Sequence, residues 1–489
     1  MLIPVWREIP FDLDTPVAAF AKLRRGPFSF LLESAPAGSE TWSRFTYFGT
    51  EPRAAWRLAD GVVHEWTPDK GWHRERRPSD PLADLEDVLG RDRVIANPDL
   101  AARCGGFWGG AVGYFGYDVV RYIERLPSPP PRALDVPDAL FVLTGVLVVV
   151  DNLRSRAILI ASVPIPDQGG ADDGVERQLR ESAERDLDEA ERRLKGAPGL
   201  APLNVKDDAP PAVGESAYSR PDFERDVKRI KEYIVAGDAF QVLLARRIAV
   251  NHDFDTTSLY RALRALNPSP YMFHLALDGV ELVGSSPELL VRVQQGKVIV
   301  RPIAGTRRRD GSPDADARLA QELLEDEKER AEHLMLVDLG RNDVGRVARF
   351  GTVRVTELMV VERYSHVLHL VSEVQGELGQ DVSIMDALRA TFPAGTMTGA
   401  PKVRAMEIID ELEPERRAAY AGAVGYIAAD GGRMDLAITI RTCVVANGVA
   451  SIQAGAGIVH DSVPAREWDE TESKARALLT AIGRVRGAD

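Results

Sequence analysis

Two short acidic clusters carry the chemistry most readily. Glu329 and Glu332 stand three apart just before the apolar Leu334-Met335-Leu336-Val337, and Glu467 and Glu470 repeat that spacing ahead of a helical pattern over 475–482. Residues at i and i+3 share one helical face, so each pair presents two carboxylates on one side. Taken singly, such pairs are ordinary solvated helix surface. Brought together, four carboxylates repel one another unless a cation neutralises them. An all-oxygen set selects a hard ion such as Mg²⁺, which keeps water or substrate oxygens in its shell. A substrate carboxylate would complete that shell.

A second carboxylate on such a substrate needs opposite charge. Arg441, in a stretch (437–442) that alternates like a strand, and Lys474, four residues after Glu470, are the candidates. Gly455, Ala456 and Gly457 follow a strand predicted over 450–452. They read as a turn whose backbone N–H groups can approach an anion, although alone it is an ordinary bend. His366 and His369 lie three apart; beside a carboxylate site, a histidine with an unperturbed pKa of ~6.5 suits general-base work. No phosphate loop, HExxH, CxxC or GxSxG occurs, and Gly455-Ala456-Gly457 lacks the third glycine of a dinucleotide fingerprint.

These groups need a large scaffold. The 489 residues carry 61 basic and 74 acidic side chains, a net charge of -13, which argues against a nucleic-acid or anionic-membrane partner. No apolar run reaches the roughly 20 residues that a bilayer requires, and no signal peptide opens the chain. Cys104 and Cys443 cannot build a disulfide framework, so the expectation is a protein of the reducing cytoplasm. Residues 139–151 and 157–163 read as buried strands, and 282–284, 289–293 and 298–300 as a meander. A helix is predicted over 221–236 from Phe223, Val227, Ile230 and Ile234. Residues 172–195 read as a solvated helix leading out of a domain. Seven of the 21 residues of 196–216 are Pro or Gly, so this segment reads as a linker between units at 1–195 and 217–486. Strands and helices without strict alternation favour an α+β fold with large antiparallel sheets.

Several stretches together resemble the chorismate-utilising enzymes. They are Pro302-Ile303-Ala304-Gly305-Thr306, Glu329 to His333, Val337 to Gly345, Tyr364 to His369, Gly395 to Glu407, Gly422 to Tyr426, Gln453 to Gly457 and Glu467 to Lys474. The resemblance implies orthogonally packed antiparallel sheets flanked by helices. It implies Mg²⁺ on Glu332 and Glu470, supported by Glu329 and Glu467, with the ring carboxylate of chorismate on the metal. The enolpyruvyl carboxylate would meet Arg441, Tyr420 and the amides of Gly455, Ala456 and Gly457. Gly305, Thr306 and Thr396 would line the ring with Lys474 nearby, and His369, Gln241 and Thr396 would form the catalytic group.

In the N-terminal half, Phe30 to Ser34 and Gly110 to Asp118 resemble the large subunits of anthranilate and aminodeoxychorismate synthases. Family members that add water are similar but carry a lysine base where this chain has Gln241. An amide has no site to deprotonate water, which points to ammonia. Aminodeoxychorismate synthases often carry a nucleophilic lysine where Ala304 stands, and a methyl group cannot attack. The implied activity is that of a lyase making anthranilate and pyruvate, with His369 assisting proton removal; the aminodeoxychorismate branch is the alternative. Glu33, Ser34, Pro270, Tyr271 and Met272 resemble a feedback site for tryptophan, although by themselves they read as a strand end and a loop. No amidotransferase segment surrounds Cys104, so a separate glutaminase subunit, and a hetero-oligomer, are expected.

Overall fold

The structure, a computed structural model, describes residues 1–34, 44–91, 94–95, 97–165, 173–197, 199–200, 202–203, 208–364 and 367–486. Two antiparallel sheets dominate it. The first, of 11 strands, runs β1 (Leu2–Pro10), β10 (Arg156–Pro164), β9 (Val146–Asp151), β3 (Phe45–Thr50), β2 (Phe28–Glu33), β12 (Tyr271–Leu277), β13 (Val280–Ser286), β22 (Thr442–Ala446), β23 (Val449–Ile458), β11 (Gln241–Asn251) and β19 (Gly399–Ala400). The second, of 12, runs β16 (Ile303–Arg308), β18 (Val367–Glu377), β15 (Lys297–Val300), β14 (Leu289–Gln294), β21 (Arg433–Ile438), β20 (Ala423–Ala428), β7 (Gly110–Phe115), β8 (Ala139–Leu143), β4 (Ala54–Ala59), β5 (Val62–Thr67) and β6 (Gly71–Arg76), with β17 (Arg354–Arg363) on the far side of β18.

The apolar stripes of both sheets meet in a core that includes Phe30, Leu140, Val149, Ile158, Leu282 and Val424. This is sheet-on-sheet packing. Leu140 and Leu282 are wholly buried there, and truncating either to alanine costs about 2–5 kcal/mol. Helices cover the outer faces. α1 (Pro16–Leu23), α4 (Asp173–Leu194), α6 (Thr256–Leu266) and α11 (Pro464–Arg486) pack on the first sheet. α2 (Pro81–Gly90), α8 (Glu327–Gly345) and α9 (Ile384–Thr391) pack on the second. α5 (Arg220–Ala236) and α10 (Lys402–Leu412) flank β11, α7 (Pro313–Glu325) packs Leu323 on Leu368 and Leu370 of β18, and α3 (Pro98–Arg103) buries Leu100 in the core between the sheets. The architecture is α+β.

Local sequence sets these boundaries. Ser219 caps α5 by accepting the Asp222 N–H, and Gly237 ends it at φ 87°. Phe223, Val227 and Ile230 face the core as their spacing predicts. α4 departs from the expectation of a helix leading out into solvent. Ala183, Leu187, Ala190 and Leu194 form a narrow apolar stripe that it buries on the first sheet. Residues 139–151 also depart from a simple strand, because the chain leaves the second sheet after Leu143 and enters the first at Val146. The predicted meander is split in the same way, β13 lying in one sheet and β14 and β15 in the other. Strands from 1–195 and from 217–486 occur in both sheets, so each sheet is continuous across the 196–216 segment. Among the described residues no helix is long and apolar enough to cross a membrane.

Candidate functional site

The site grows from two places where the chain crosses between the sheets. Ser286-Pro287-Glu288 links β13 to β14, and Thr439-Ile440-Arg441 links β21 to β22. The crossings are tied together: the Ser285 N–H donates to the Arg441 carbonyl at 3.1 Å, and the Ile438 N–H to the Glu288 carbonyl at 3.0 Å. Arg441 is thus not in a strand, as the alternation suggested; its φ is 51°. A residue must leave the pleat there to change sheets. Its guanidinium is desolvated, which lowers its pKa, and Tyr420 and Glu470 oppose that shift without a hydrogen bond. No hydrogen-bonded carboxylate neutralises it among the described residues. Buried cations without a partner are costly, so this one is suited to an incoming anion.

Beside Arg441, the expected turn at Gln453 to Gly457 is instead a continuous strand. β23 pairs with β11 through Ile458, whereas its pairing with β22 runs only from Val449 to Ile452. Beyond Ile452 one edge of β23 has no strand partner among the described residues, so Gly455 and Gly457 offer backbone groups at an open edge, while Ala456, opposite Leu244, turns its own toward β11. Small residues matter here for space. A Cβ on Gly457 would lie 2.6 Å from Gln241 Nε2. Lys474 Nζ donates to the Gly455 carbonyl at 2.8 Å and pairs with Glu470 at 2.7 Å.

The acidic helices converge on this edge. Asp326 starts α8 by accepting the Lys328 and Glu329 N–H groups, both at 3.1 Å, which puts Glu329 and Glu332 on its first turns. α11 carries Glu467 and Glu470. Burial, then Glu329 and more weakly Glu470, raises the Glu332 pKa; burial and Glu470 raise that of Glu467. The two pairs therefore repel across a common space. Each is held by internal donors: Gln241 Nε2 on Glu332 at 3.1 Å, Arg307 on Glu329 at 3.1 Å, Lys474 on Glu470. Among the described residues no three His, Cys, Asp or Glu side chains close on one metal position. In donor chemistry, and in the negative charge left over after Arg307 and Lys474 pair with two of them, the four carboxylates fit a hard divalent cation.

His369 lies opposite, on β18. Gly305 takes φ 65° at a bulge in β16, and its carbonyl reaches His369 Nδ1 at 3.0 Å, with Thr306 Oγ1 at 3.1 Å. A carbonyl only accepts, so Nδ1 carries the proton and Nε2 keeps its lone pair. Burial pulls the imidazole down to about 4, so it is neutral at neutral pH. His366 lies outside the described residues.

Glu288 was not foreseen from sequence. It is buried, its Oε1 accepts the Thr396 hydroxyl at 2.9 Å, and desolvation pushes it up to about 8. It is therefore a protonated acid at neutral pH beside Thr396 and within the field of Lys474. The only local signal was a carboxylate after Ser-Ser-Pro between apolar strands, which periodicity treats as a strand end.

The remaining predicted group lies elsewhere. Glu33 ends β2, pairs in register with Met272, and is buried. Its carboxylate accepts Arg264 Nε and Nη2 and the Tyr260 hydroxyl, all at 2.8 Å. Ser34 Oγ is buried with no partner among the described residues. Tyr271 and Met272, successive in β12, point to opposite faces, so they do not wall one pocket side by side. Pro270 precedes them on the loop from α6. Cys104 and Cys443 are buried, and burial pushes both thiols up to about 12, which leaves neither a reactive thiolate.

Comparison with known proteins identifies the family. The chain is 49% identical to anthranilate synthase component 1 of Thermus thermophilus, covering 96% of each chain. It is 46% identical to that of Aquifex aeolicus, covering 98% of this chain and 94% of that one. The crystal structure of anthranilate synthase component I from Streptococcus pneumoniae superposes with a TM-score of 0.77 at 34% identity, covering 96% of this chain and 99% of that one. The menaquinone-specific isochorismate synthase MenF of Escherichia coli shares the fold, with a TM-score of 0.71 at 18% identity over 99% of this chain and 95% of that one. Residues 31–480 match the family described as chorismate binding enzyme, and the chain belongs to that family.

Proposed function

We propose that this chain is the large subunit of an anthranilate synthase of tryptophan biosynthesis, converting chorismate and ammonia to anthranilate, pyruvate and water. The observation that carries it is the pairing of opposites around one site: Arg441, with no hydrogen-bonded carboxylate among the described residues, beside an open strand edge; glutamates of α8 and α11 that repel one another; and Glu288 and His369, both within the field of Lys474. A ring dianion satisfies both ends at once.

Glu332 and Glu470 would hold Mg²⁺, with Glu329 and Glu467 supporting it. The ion would supply Lewis-acid stabilisation of the charge that develops on the ring carboxylate. Arg441, with Tyr420 and the Gly455 to Gly457 edge, binds the enolpyruvyl carboxylate and fixes the ring. Ammonia forms its bond at the ring carbon next to the carboxylate-bearing carbon, and the 4-hydroxyl departs. Glu288 donates its proton to that hydroxyl, which leaves as water; Thr396 aims the acid. The surplus proton on the added nitrogen returns to the Glu288 carboxylate, and His369 Nε2 takes the proton from the aminated carbon as the enolpyruvyl C–O bond breaks and the ring becomes aromatic; that proton then passes to the methylene carbon of the departing enolate, which becomes pyruvate. Substrate charge raises the basicity of the imidazole at that moment. Gln241 orients Glu332 and provides no base for water. Ala304 provides no nucleophile.

The relatives are named component 1, which accords with ammonia arriving from a separate glutaminase subunit. Tryptophan inhibition through Glu33 and Ser34 belongs to the same reading, as does a cytoplasmic location. Purified chain given chorismate, Mg²⁺ and ammonium should form fluorescent anthranilate, and glutamine should not replace ammonium. Aminodeoxychorismate as the product, or activity with glutamine alone, would overturn the assignment.

A further inference from the structure

Lys402, the first residue of α10, is a buried cation that the chemistry above leaves unused. Its Nζ donates to Asp343 of α8 at 2.8 Å and to the carbonyl of Thr391, where α9 ends, at 3.4 Å. Apolar side chains of similar volume stabilise a core as well as a buried ion pair does, so stability alone does not account for it. The chain from Thr391 to Lys402 carries Thr396, whose hydroxyl donates to Glu288 Oε1 at 2.9 Å. Lys402 therefore joins the two ends of this segment and fastens both to α8. Beyond Thr396 the segment has other anchors: Arg417 donates to the Met397 carbonyl at 2.7 Å, and the Leu243 N–H to the Thr398 carbonyl at 2.8 Å. Ahead of Thr396, a cavity of about 40 Å³ separates it from α8, lined by Thr391, Gly395 and Thr396 on the segment, by Leu339 and Asp343 on α8, and by Glu288. The approach to Thr396 thus rests on the Lys402 clasp and on the contact of Leu339 with Gly395.

We propose that Lys402 is a positioning residue for the Glu288 and Thr396 pair: anchored on Asp343, its ammonium clasps segment 391–402 so that the Thr396 hydroxyl stays on the acid. This rests on the reading of Glu288 as the proton donor. Without the clasp the segment settles toward the cavity and the hydroxyl leaves Glu288. The carboxyl then keeps only the Ile303 N–H and the field of Lys474, and its aim is no longer fixed. One lost hydrogen bond of this kind is worth roughly tenfold in rate. The Thr396 bond also holds the carboxyl down, so its loss moves the alkaline limb of kcat/KM upward from pH about 8. The charged groups facing Glu288 are Lys474 of α11, and Asp343 of α8 and Arg301, which line the same cavity. Replacing Lys402 and Asp343 together removes one charge of each sign, so the field at Glu288 is nearly preserved.

Steady-state kinetics with ammonium across pH test this. Lys402→Met with Asp343→Leu, a neutral swap of similar volume, should lower kcat roughly tenfold, leave the KM for chorismate within about twofold, and move the alkaline limb upward. Thr396→Val should do the same. Added to Thr396→Val, the swap should cost nothing further, because the clasp acts through that hydroxyl. Asp343→Asn keeps the shape and still accepts from Lys402 through a neutral oxygen, so its kcat should lie between wild type and the swap. It decides the question if the swap does not fold. The role of Lys402 is refuted by losses that multiply with Thr396→Val, by wild-type kcat and pH profile in the swap, by wild-type kcat in Thr396→Val, or by wild-type kcat in Asp343→Asn where only that variant folds. In each of those cases a low kcat in Glu288→Gln leaves the acid reading standing without Lys402. Wild-type kcat in Glu288→Gln ends the acid reading and takes this inference with it.

Discussion

Glu288→Gln should cost activity and gain stability, two effects with one cause. The side chain is buried, hydrogen-bonded to Thr396, and its folded-state pKa of about 8 lies above the ordinary 4.5. Such a group stabilises the fold fully at pH below 4.5 and loses that contribution as pH rises through about 8, because the unfolded chain ionises first. At pH 7 the forgone stability is about 3 kcal/mol, from the gap between pH 7 and 4.5 at about 1.4 kcal/mol per pH unit. Glutamine never ionises and keeps the shape. The stability of the variant relative to wild type, from urea midpoints, should therefore rise by about 3 kcal/mol between pH 5 and pH 8. Over the same range kcat with ammonium should be lower by about 10²–10⁴-fold, the usual worth of a positioned general acid. Wild-type kcat/KM should fall as pH rises through about 8, and that fall should be absent from the residual activity of the variant. A variant with wild-type kcat, or a stability gap that does not widen with pH, would refute a buried protonated acid at this crossing.

Three further outcomes follow from the same geometry. Arg441→Gln removes a charge-assisted carboxylate contact and should raise the KM for chorismate about 10–100-fold with a smaller effect on kcat; an unchanged KM would show that the anion binds elsewhere. Gly457→Ala brings a methyl to within 2.6 Å of Gln241 Nε2, so kcat should drop about 10–100-fold while the circular dichroism spectrum is retained, and full activity would mean that Gln241 has no positional role. Arg417 is wholly buried and ties Glu413 to the Met397 and Leu243 carbonyls, both next to site segments. Arg417→Met should destabilise the chain by about 3–5 kcal/mol in urea unfolding, since Glu413 is left as a buried charge, and a loss below about 1 kcal/mol would contradict that.

What could be read in the sequence follows from what is periodic or dense. The i, i+3 spacing of Glu329 and Glu332, and of Glu467 and Glu470, placed both carboxylate pairs on single helix faces, and those helices do converge. The apolar stripe of α5 was equally plain. The chemistry at the crossings was not. Glu288 and Arg441 sit where the chain abandons one sheet for the other, and their backbone partners are residues some 150 positions away, Ile438 and Ser285. No window of neighbouring residues contains that relation. Arg441 even sits inside an alternating stretch, so local pattern assigns it to a strand, while the need to change sheets forces it to φ 51°. The glycines of β23 misled for the reverse reason. They read as a turn because glycine is usually spent on backbone freedom. Here the demand is spatial: a Cβ on Gly455 would lie 2.9 Å from the Leu244 carbonyl, and one on Gly457 would strike Gln241.

The crossings also explain why the site lies where it does. Within a sheet interior each backbone group is committed to a neighbouring strand, and a ligand finds nothing to bind. Where β22 departs, the far end of β23 keeps a free edge, and the departing chain must carry some residue across the gap. That residue is Arg441, whose charge has no better partner than the anion the free edge can also receive. The return crossing from β13 supplies Glu288 in the same dry space, where ionisation is too costly and the carboxyl keeps its proton. A cation without a partner and an acid that cannot ionise are both defects of a folding core. On the proposed reading, these two groups and the excess of negative charge on α8 and α11 would complement one ligand, a ring bearing two carboxylates and a hydroxyl that must leave with a proton. Relocating either group to a regular strand would relieve its strain and remove its use.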